Sequence, residues 1–261
     1  NDFAKYLFQI NGISINTQVT GVGILPLIST KSIKRIEIIR GASSALHGTS
    51  AYTALINIIT KQDENTVWLD YTNYSSSNHN ISVGALLHHK IDDVDLSLRL
   101  HTLNADGLDQ TVTQDGASLY GLPSNTPSKV NKGKDSYDIG LNIKYENWTL
   151  DYERIFIGNY AGYGASGLVL PKNDDKVVFS EIKDILEISN ESSIDDLKIT
   201  TKLGYMHFDQ DINNMYLFPI GTWLPTTGIL PTDYTVSART KEQDLYAGIE
   251  LNRKFGNHDI L

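Results

Sequence analysis

The sequence contains no cysteine and only 2 methionines in 261 residues. Without Cys there is no disulfide framework, no Cys-ligated zinc and no thiol nucleophile, while His and carboxylate metal sites stay open. No apolar run approaches the roughly 18 residues that a membrane-spanning helix requires, and stretches such as Ile33 to Ile39 are broken by charge. A helical membrane protein is thereby excluded. A membrane β-barrel is not, because its strands hide a weak alternating signal inside an average hydropathy that looks soluble. Basic residues are in deficit, 22 Lys+Arg against 31 Asp+Glu, and the net charge of −9 argues against a general nucleic-acid binder, whose footprint is a basic face. The chain opens at Asn1 with neither an initiator Met nor a basic-then-apolar leader, which leads us to expect a mature, trimmed or partial sequence. Length alone suggests one or two domains at about 150 residues each.

What is present divides into two regions. Residues 1–62 carry short mixed segments with Gly punctuation, ending in the alternating strand Lys34 to Arg40, closed by Gly41, and the apolar run Leu55 to Thr60; this portion reads as a small α+β unit. In residues 63–261 the period becomes two and stays two. Val94, Leu96, Leu98 and Leu100 share one face, against Asp95, Ser97, Arg99 and His101 on the other. Tyr137, Ile139, Leu141, Ile143 and Tyr145 repeat the pattern against Asp138, Gly140, Asn142 and Lys144. About eight such strands are legible, including Trp148 to Phe156, Val178 to Ile188, Leu197 to Tyr205 and Leu245 to Leu251. Tyrosine, with 14 copies, suits them both as a strand former and as an interfacial residue near strand ends.

The connections alternate in length. Tight turns are expected at Asp92-Asp93 and Glu146-Asn147 and a short link at Asn190 to Asp195, whereas long loops are expected over 103–134, 158–175 and 209–240. Short turns at one end and long loops at the other are the asymmetry of an outer-membrane barrel. Strands of about 9 to 13 residues also exceed the soluble mode of about 5–6 and match a tilted membrane span.

The stretch Ser32 to Ala51, with Lys34-Arg35-Ile36-Glu37-Ile38-Ile39-Arg40-Gly41 at its centre and running on into Leu55-Ile56-Asn57-Ile58-Ile59-Thr60-Lys61, resembles the end of the plug domain of TonB-dependent outer-membrane receptors. Phe8 to Asn16 resembles the strand and turn leading into the same family's apical plug loop. Four positions depart from the family pattern: Ala42 where Pro is usual, His47 where an aromatic is usual, and Thr53-Ala54 where a Gly pair is usual. The Pro and Gly losses alter backbone freedom rather than chemistry. The resemblance implies a mainly β fold, the C-terminal part of a plug (1–62) followed by the first strands (63–261) of an incomplete antiparallel transmembrane barrel, about 8 of an implied 22. At roughly 25 residues per strand a complete barrel needs on the order of 550 residues, so an internal portion of a receptor is expected.

The resemblance also implies uptake without catalysis. A scarce metal chelate, an iron-siderophore in the leading reading, binds from outside. TonB, contacting a segment missing from this chain, supplies the energy. Outer-membrane lipid is the other expected partner, with neither nucleic acid nor cofactor. Implied ligand contacts are Asn16, Thr17, Gln18, Val19 and Thr20 in one apical region and Ser43, Ser44, His47 and Thr49 in a second. Arg35, Glu37 and Arg40, charges among apolar neighbours, are expected to hold the plug against the lumen wall, since a charge among apolar groups needs a partner.

Other readings are weaker. Asp106, Asp109 and Asp115 lie close enough to coordinate Ca²⁺, but their spacing is not that of an EF-hand. His88 and His89 point to opposite faces of a strand, against a metal site with His101. Gly162-Tyr163-Gly164-Ala165-Ser166-Gly167 fits a dinucleotide fingerprint literally, yet no helix follows it. Cobalamin is an alternative cargo. A small outer-membrane adhesin or enzyme and a soluble β-rich module are the rivals from other classes.

Overall fold

In the computed structural model of the chain, residues 6–17, 28–41, 53–74, 78–107, 110–130, 133–160, 169–170, 178–255 and 258–260 are described. The first unit contains strands β1 (Tyr6–Ile10), β2 (Ile13–Ser14), β3 (Ile33–Arg40) and β4 (Ala54–Thr60), with a 3-10 turn at Thr30–Ser32. They form one sheet in the order β2-β1-β4-β3. β1 and β4 are parallel and the other pairs antiparallel. The Asn11-Gly12 turn places both residues at positive φ, 51° and 86°, the conformation that a two-residue hairpin of this twist requires. Asn11 also binds the far end of β4, accepting the Thr60 N–H at 2.9 Å.

The second unit is a nine-stranded antiparallel sheet. It comprises β5 (Thr66–Asn73), β6 (His79–Ile91), β7 (Val94–Ala105), β10 (Lys134–Tyr145), β11 (Trp148–Tyr160), β12 (Val178–Ile194), β13 (Leu197–Phe218), β16 (Tyr234–Phe255) and the short β17 (His258–Ile260). Every neighbour follows its predecessor in sequence, an up-and-down meander that is not closed. Two small hairpins, β8 (Gln110–Val112) with β9 (Ser128–Val130) and β14 (Trp223–Leu224) with β15 (Gly228–Ile229), stand in the long loops at one end. A four-residue helix, α1 (Gly116–Leu119), accompanies the first of them. At the other end Asp92, Glu146 and Asp195 open two-residue turns with φ near +50°.

Burial inverts the pattern of a soluble sheet. Ser97, Arg99 and His101 of β7 are buried, while Leu100 between them is 37% exposed. On β10 Ser136, Asp138 and Asn142 are buried while Tyr145 is exposed. Polar residues thus line the inner face, and the apolar face looks outward. Large inner side chains lie over glycines on the next strand: Trp68 over Gly84, Arg99 over Gly140 and Tyr246 over Gly204, each pair in direct register.

The structure corrects one expectation about length. Residues 209–240 are expected to form a long loop, but β13 continues to Phe218 and β16 begins at Tyr234. Here both faces are polar, with Asp209 and Asp211 outward and Gln210 inward opposite Lys241, Arg239 and Thr240. The alternation that marks a strand in the sequence is therefore lost. The ladder is held by its backbone bonds and by Arg239, which donates to both Asp209 carboxylate oxygens at 3.0 and 2.7 Å.

Candidate functional site: the plug–wall interface and the loop cluster above it

The four-stranded unit seats on the inner face of the large sheet through one apolar cluster. Phe8, Ile10, Ile13, Ile15 and Ile28 pack with Ile155 and Ile157 of β11, Ile185 of β12 and Met206 of β13. The wall residues are inward positions on a mostly polar face, where Trp68, Leu86 and Phe208 are among the other large apolar side chains buried, and this patch receives the small sheet. Each such buried side chain contributes about 1.5–3 kcal/mol relative to exposure. The sequence carries a signal for it: Ile155-Phe156-Ile157 breaks the alternation because the inward side chains under the small sheet are apolar as well as the outward one.

Polar contacts also join the two units. The Lys183 ammonium of β12 donates to the Ile15 carbonyl. The Ser97 hydroxyl donates to the Gln62 carbonyl at 2.5 Å, and Lys144 reaches the Gln62 side chain at 3.2 Å. Lys31 pairs with Asp70 at 2.6 Å. Lys34, 3.3 Å from Asp63, holds that carboxyl below its ordinary range.

Deeper in the wall, Arg99 bridges two acids, donating from Nε to Asp138 at 2.7 Å and from Nη2 to Glu153 at 2.5 Å. His101 Nδ1 meets the other Asp138 oxygen at 2.8 Å, Ser82 lies 3.2 Å from its Nε2, and Trp68 stacks on its ring. His101 is thus committed to this network; among the described residues no group of three or more His, Asp or Glu is arranged to hold a metal.

The loop end is organised by Asp115. Its Oδ1 accepts the Ser118 N–H and the Ser124 hydroxyl, each at 2.8 Å, and its Oδ2 accepts the Leu170 N–H at 2.9 Å. Burial acts to raise this carboxyl, but the donors from Leu170, Ser118 and Ser124 outweigh it and hold it below the ordinary range. Asn125 returns a bond to the Leu170 carbonyl at 2.8 Å. Ala117, Val169 and Tyr216 pack together, and Tyr216 donates to Asp233 at 3.0 Å. Three loop regions therefore meet as one body.

The residues singled out in the sequence are distributed as follows. Asn16 and Thr17 are buried, and the Asn16 side chain joins Phe8 N–H and Tyr6 C=O, each at 2.8 Å. Gln18, Val19, Thr20, Ser43, Ser44, His47, Thr49 and Asp109 lie outside the described residues. Arg35 pairs with Glu37 at 2.7 Å, Glu37 also accepts from Asn57 at 3.2 Å, and Arg40 is exposed. Asp106 binds His79 at 2.8 Å, and Asp115 spends its oxygens on the loop donors. Sequence reasoning missed Lys183, because a lone Lys between Ile182 and Asp184 looks like any alternating polar residue until its face is known.

Residues 2–54 match the family described as "TonB-dependent Receptor Plug Domain". No curated protein matches. Among solved structures, the siderophore receptor PirA from Acinetobacter baumannii is similar with a TM-score of 0.67 at 15% identity, covering 97% of this chain and 38% of that one. The ferric enterobactin receptor PfeA from Pseudomonas aeruginosa gives 0.67 at 16%, covering 97% and 40%. The ferric-catecholate import receptor Fiu from E. coli, in its closed form, gives 0.56 at 17%, covering 96% and 37%. The chain spans about two fifths of these proteins' length. The plug-family match thus covers the first unit, and the whole chain shares its fold with these receptors.

Proposed function

We propose that the chain forms the C-terminal part of the plug (1–62) and the first wall strands (63–261) of an outer-membrane receptor that binds a ferric siderophore and imports it with TonB-transduced energy. The observation that supports this most is the apolar seat in a mostly polar inner face, occupied by the plug-family segment, on a sheet whose outer face is apolar. A polar-lined wall around a removable filling suits passage of a hydrophilic chelate. The outer face, with Leu100, Leu203, Leu245 and Ile249 exposed, suits contact with lipid.

In this reading the loop cluster around Asp115 lies on the extracellular side, and the tight turns lie on the periplasmic side. Asn16, Thr17, Gln18, Val19, Thr20, Ser43, Ser44, His47 and Thr49 are the proposed ligand contacts. Arg35, Glu37 and Arg40 are proposed to meet wall strands beyond the nine described. The test is binding of a panel of ferric siderophores, and of cobalamin, to the purified full-length receptor. Saturable binding of a ferric chelate supports the reading; binding of cobalamin alone reassigns the cargo, and binding of neither overturns it.

A further inference from the structure

We infer that Lys183 is the wall's grip on the root of the plug's apical segment and sets how readily the plug releases, an inference that rests on the transport reading above. Ile15 is divided between the two units. Its N–H donates to the Phe8 carbonyl of β1 at 3.0 Å, and its C=O accepts from the Lys183 ammonium of the wall. Asn16, next in the chain, is bonded twice to β1, through Phe8 N–H and Tyr6 C=O. A displacement of β1 therefore carries Ile15 with it and must break the Lys183 bond.

The wall in turn holds Lys183 in place. The side chain is buried, with the residue 6% exposed, and its ammonium lies 5.2 Å from the Phe208 ring centroid on β13. Glu181, two residues away on the same inner face, and Glu242, across from Phe208 on β16, are both buried and close enough to act on the Lys183 charge. Glu181 keeps one carboxylate oxygen without a partner among the described residues. A buried ammonium is costly unless it is compensated. Here the acids that offset part of that cost belong to the wall, while the plug supplies only a carbonyl. The charge therefore belongs to the wall, and the plug can part from it without stranding an ion of its own.

The experiment uses the full-length receptor, purified and in cells, as wild type, Lys183→Met and Lys183→Arg. Losing a charge-assisted bond corresponds to about a 10- to 100-fold rise in the population in which Ile15 has left the wall. Hydrogen exchange in the peptide spanning 6–17 is expected to quicken by that factor in Lys183→Met, to stay within about threefold of wild type in Lys183→Arg, and to remain unchanged in the wall peptide 197–206. Unchanged exchange of 6–17 in an assembled Lys183→Met barrel overturns the inference. If that variant does not assemble, Lys183→Gln decides by the same readout. Ferric-siderophore binding, measured in parallel on wild type, separates the two claims. No binding with faster exchange in the variant sinks the transport reading alone, and normal binding with unchanged exchange sinks the grip alone.

Discussion

The Asp115 carboxylate accepts the Leu170 backbone N–H at 2.9 Å across 55 residues of sequence, joining two loops that the strands themselves leave independent. The same carboxylate caps the helical turn at Ser118 and takes the Ser124 hydroxyl. One anion thus organises the loop end of the sheet.

Replacing it tests that role. Asp115→Asn removes the charge and turns an N–H₂ toward one of the present donors, leaving a buried donor unmet at a cost of about 1–3 kcal/mol. Proteolysis within 106–133 and 161–177 is expected to quicken several-fold, with the sheet intact. Unchanged loop cleavage would argue against the staple.

The pH dependence has a fixed sign. Asp115 titrates below its ordinary value in the folded protein, so its contribution is complete above the unfolded value of about 4 and is lost as pH falls through the folded one. Loop protection in wild type should be level from pH 7 down to about 4.5 and decline below about 4. Asp115→Asn should show no such decline from this site.

The inner network predicts a second effect. A Cβ on Gly140 would stand 2.8 Å from Arg99 Cζ, and Arg99 cannot swing aside without releasing Asp138 and Glu153. Gly140→Ala should cost about 1–3 kcal/mol of barrel stability by overpacking. Arg99→Met should cost about 3–5 kcal/mol by stranding two buried acids. Since both act on one network, the double variant should fall short of the sum in urea unfolding of the vesicle-embedded receptor.

The outer face supplies a third. Leu100 is six residues along its strand from Val94, near the middle of β7, and faces outward, where the proposed function places lipid. Leu100→Arg should destabilise the embedded barrel by about 2–4 kcal/mol. Leu119→Arg, an exposed position in the loop cluster, should change it by less than about 0.5 kcal/mol. Equal effects at the two sites would mean that the outer face does not meet lipid.

Much of this was legible in the sequence wherever the two faces of a strand differ in chemistry. Val94 to Leu100 and Tyr137 to Tyr145 announce their strands because apolar outward and polar inward residues alternate. The upper parts of β13 and β16 did not, since Asp209, Gln210 and Asp211 are polar on both sides. The plug was legible through Lys34 to Gly41, a motif set by local backbone and packing. Its seat was only half legible: Ile155-Phe156-Ile157 shows that both faces are apolar, but not what packs on the inner one. The sequence offers Asp115 only as a calcium candidate and gives no sign of Lys183, because their partners, Leu170 and Ile15, lie 55 and 168 residues away, and register between such distant segments is set by the whole sheet.

The most direct test of the central claim is uptake of a radiolabelled ferric siderophore by cells carrying the full-length receptor as their sole candidate route, with and without TonB. The account predicts saturable uptake that collapses to background when TonB is removed while surface binding persists. Uptake that continues unchanged without TonB, or surface binding that never leads to uptake in its presence, would contradict it.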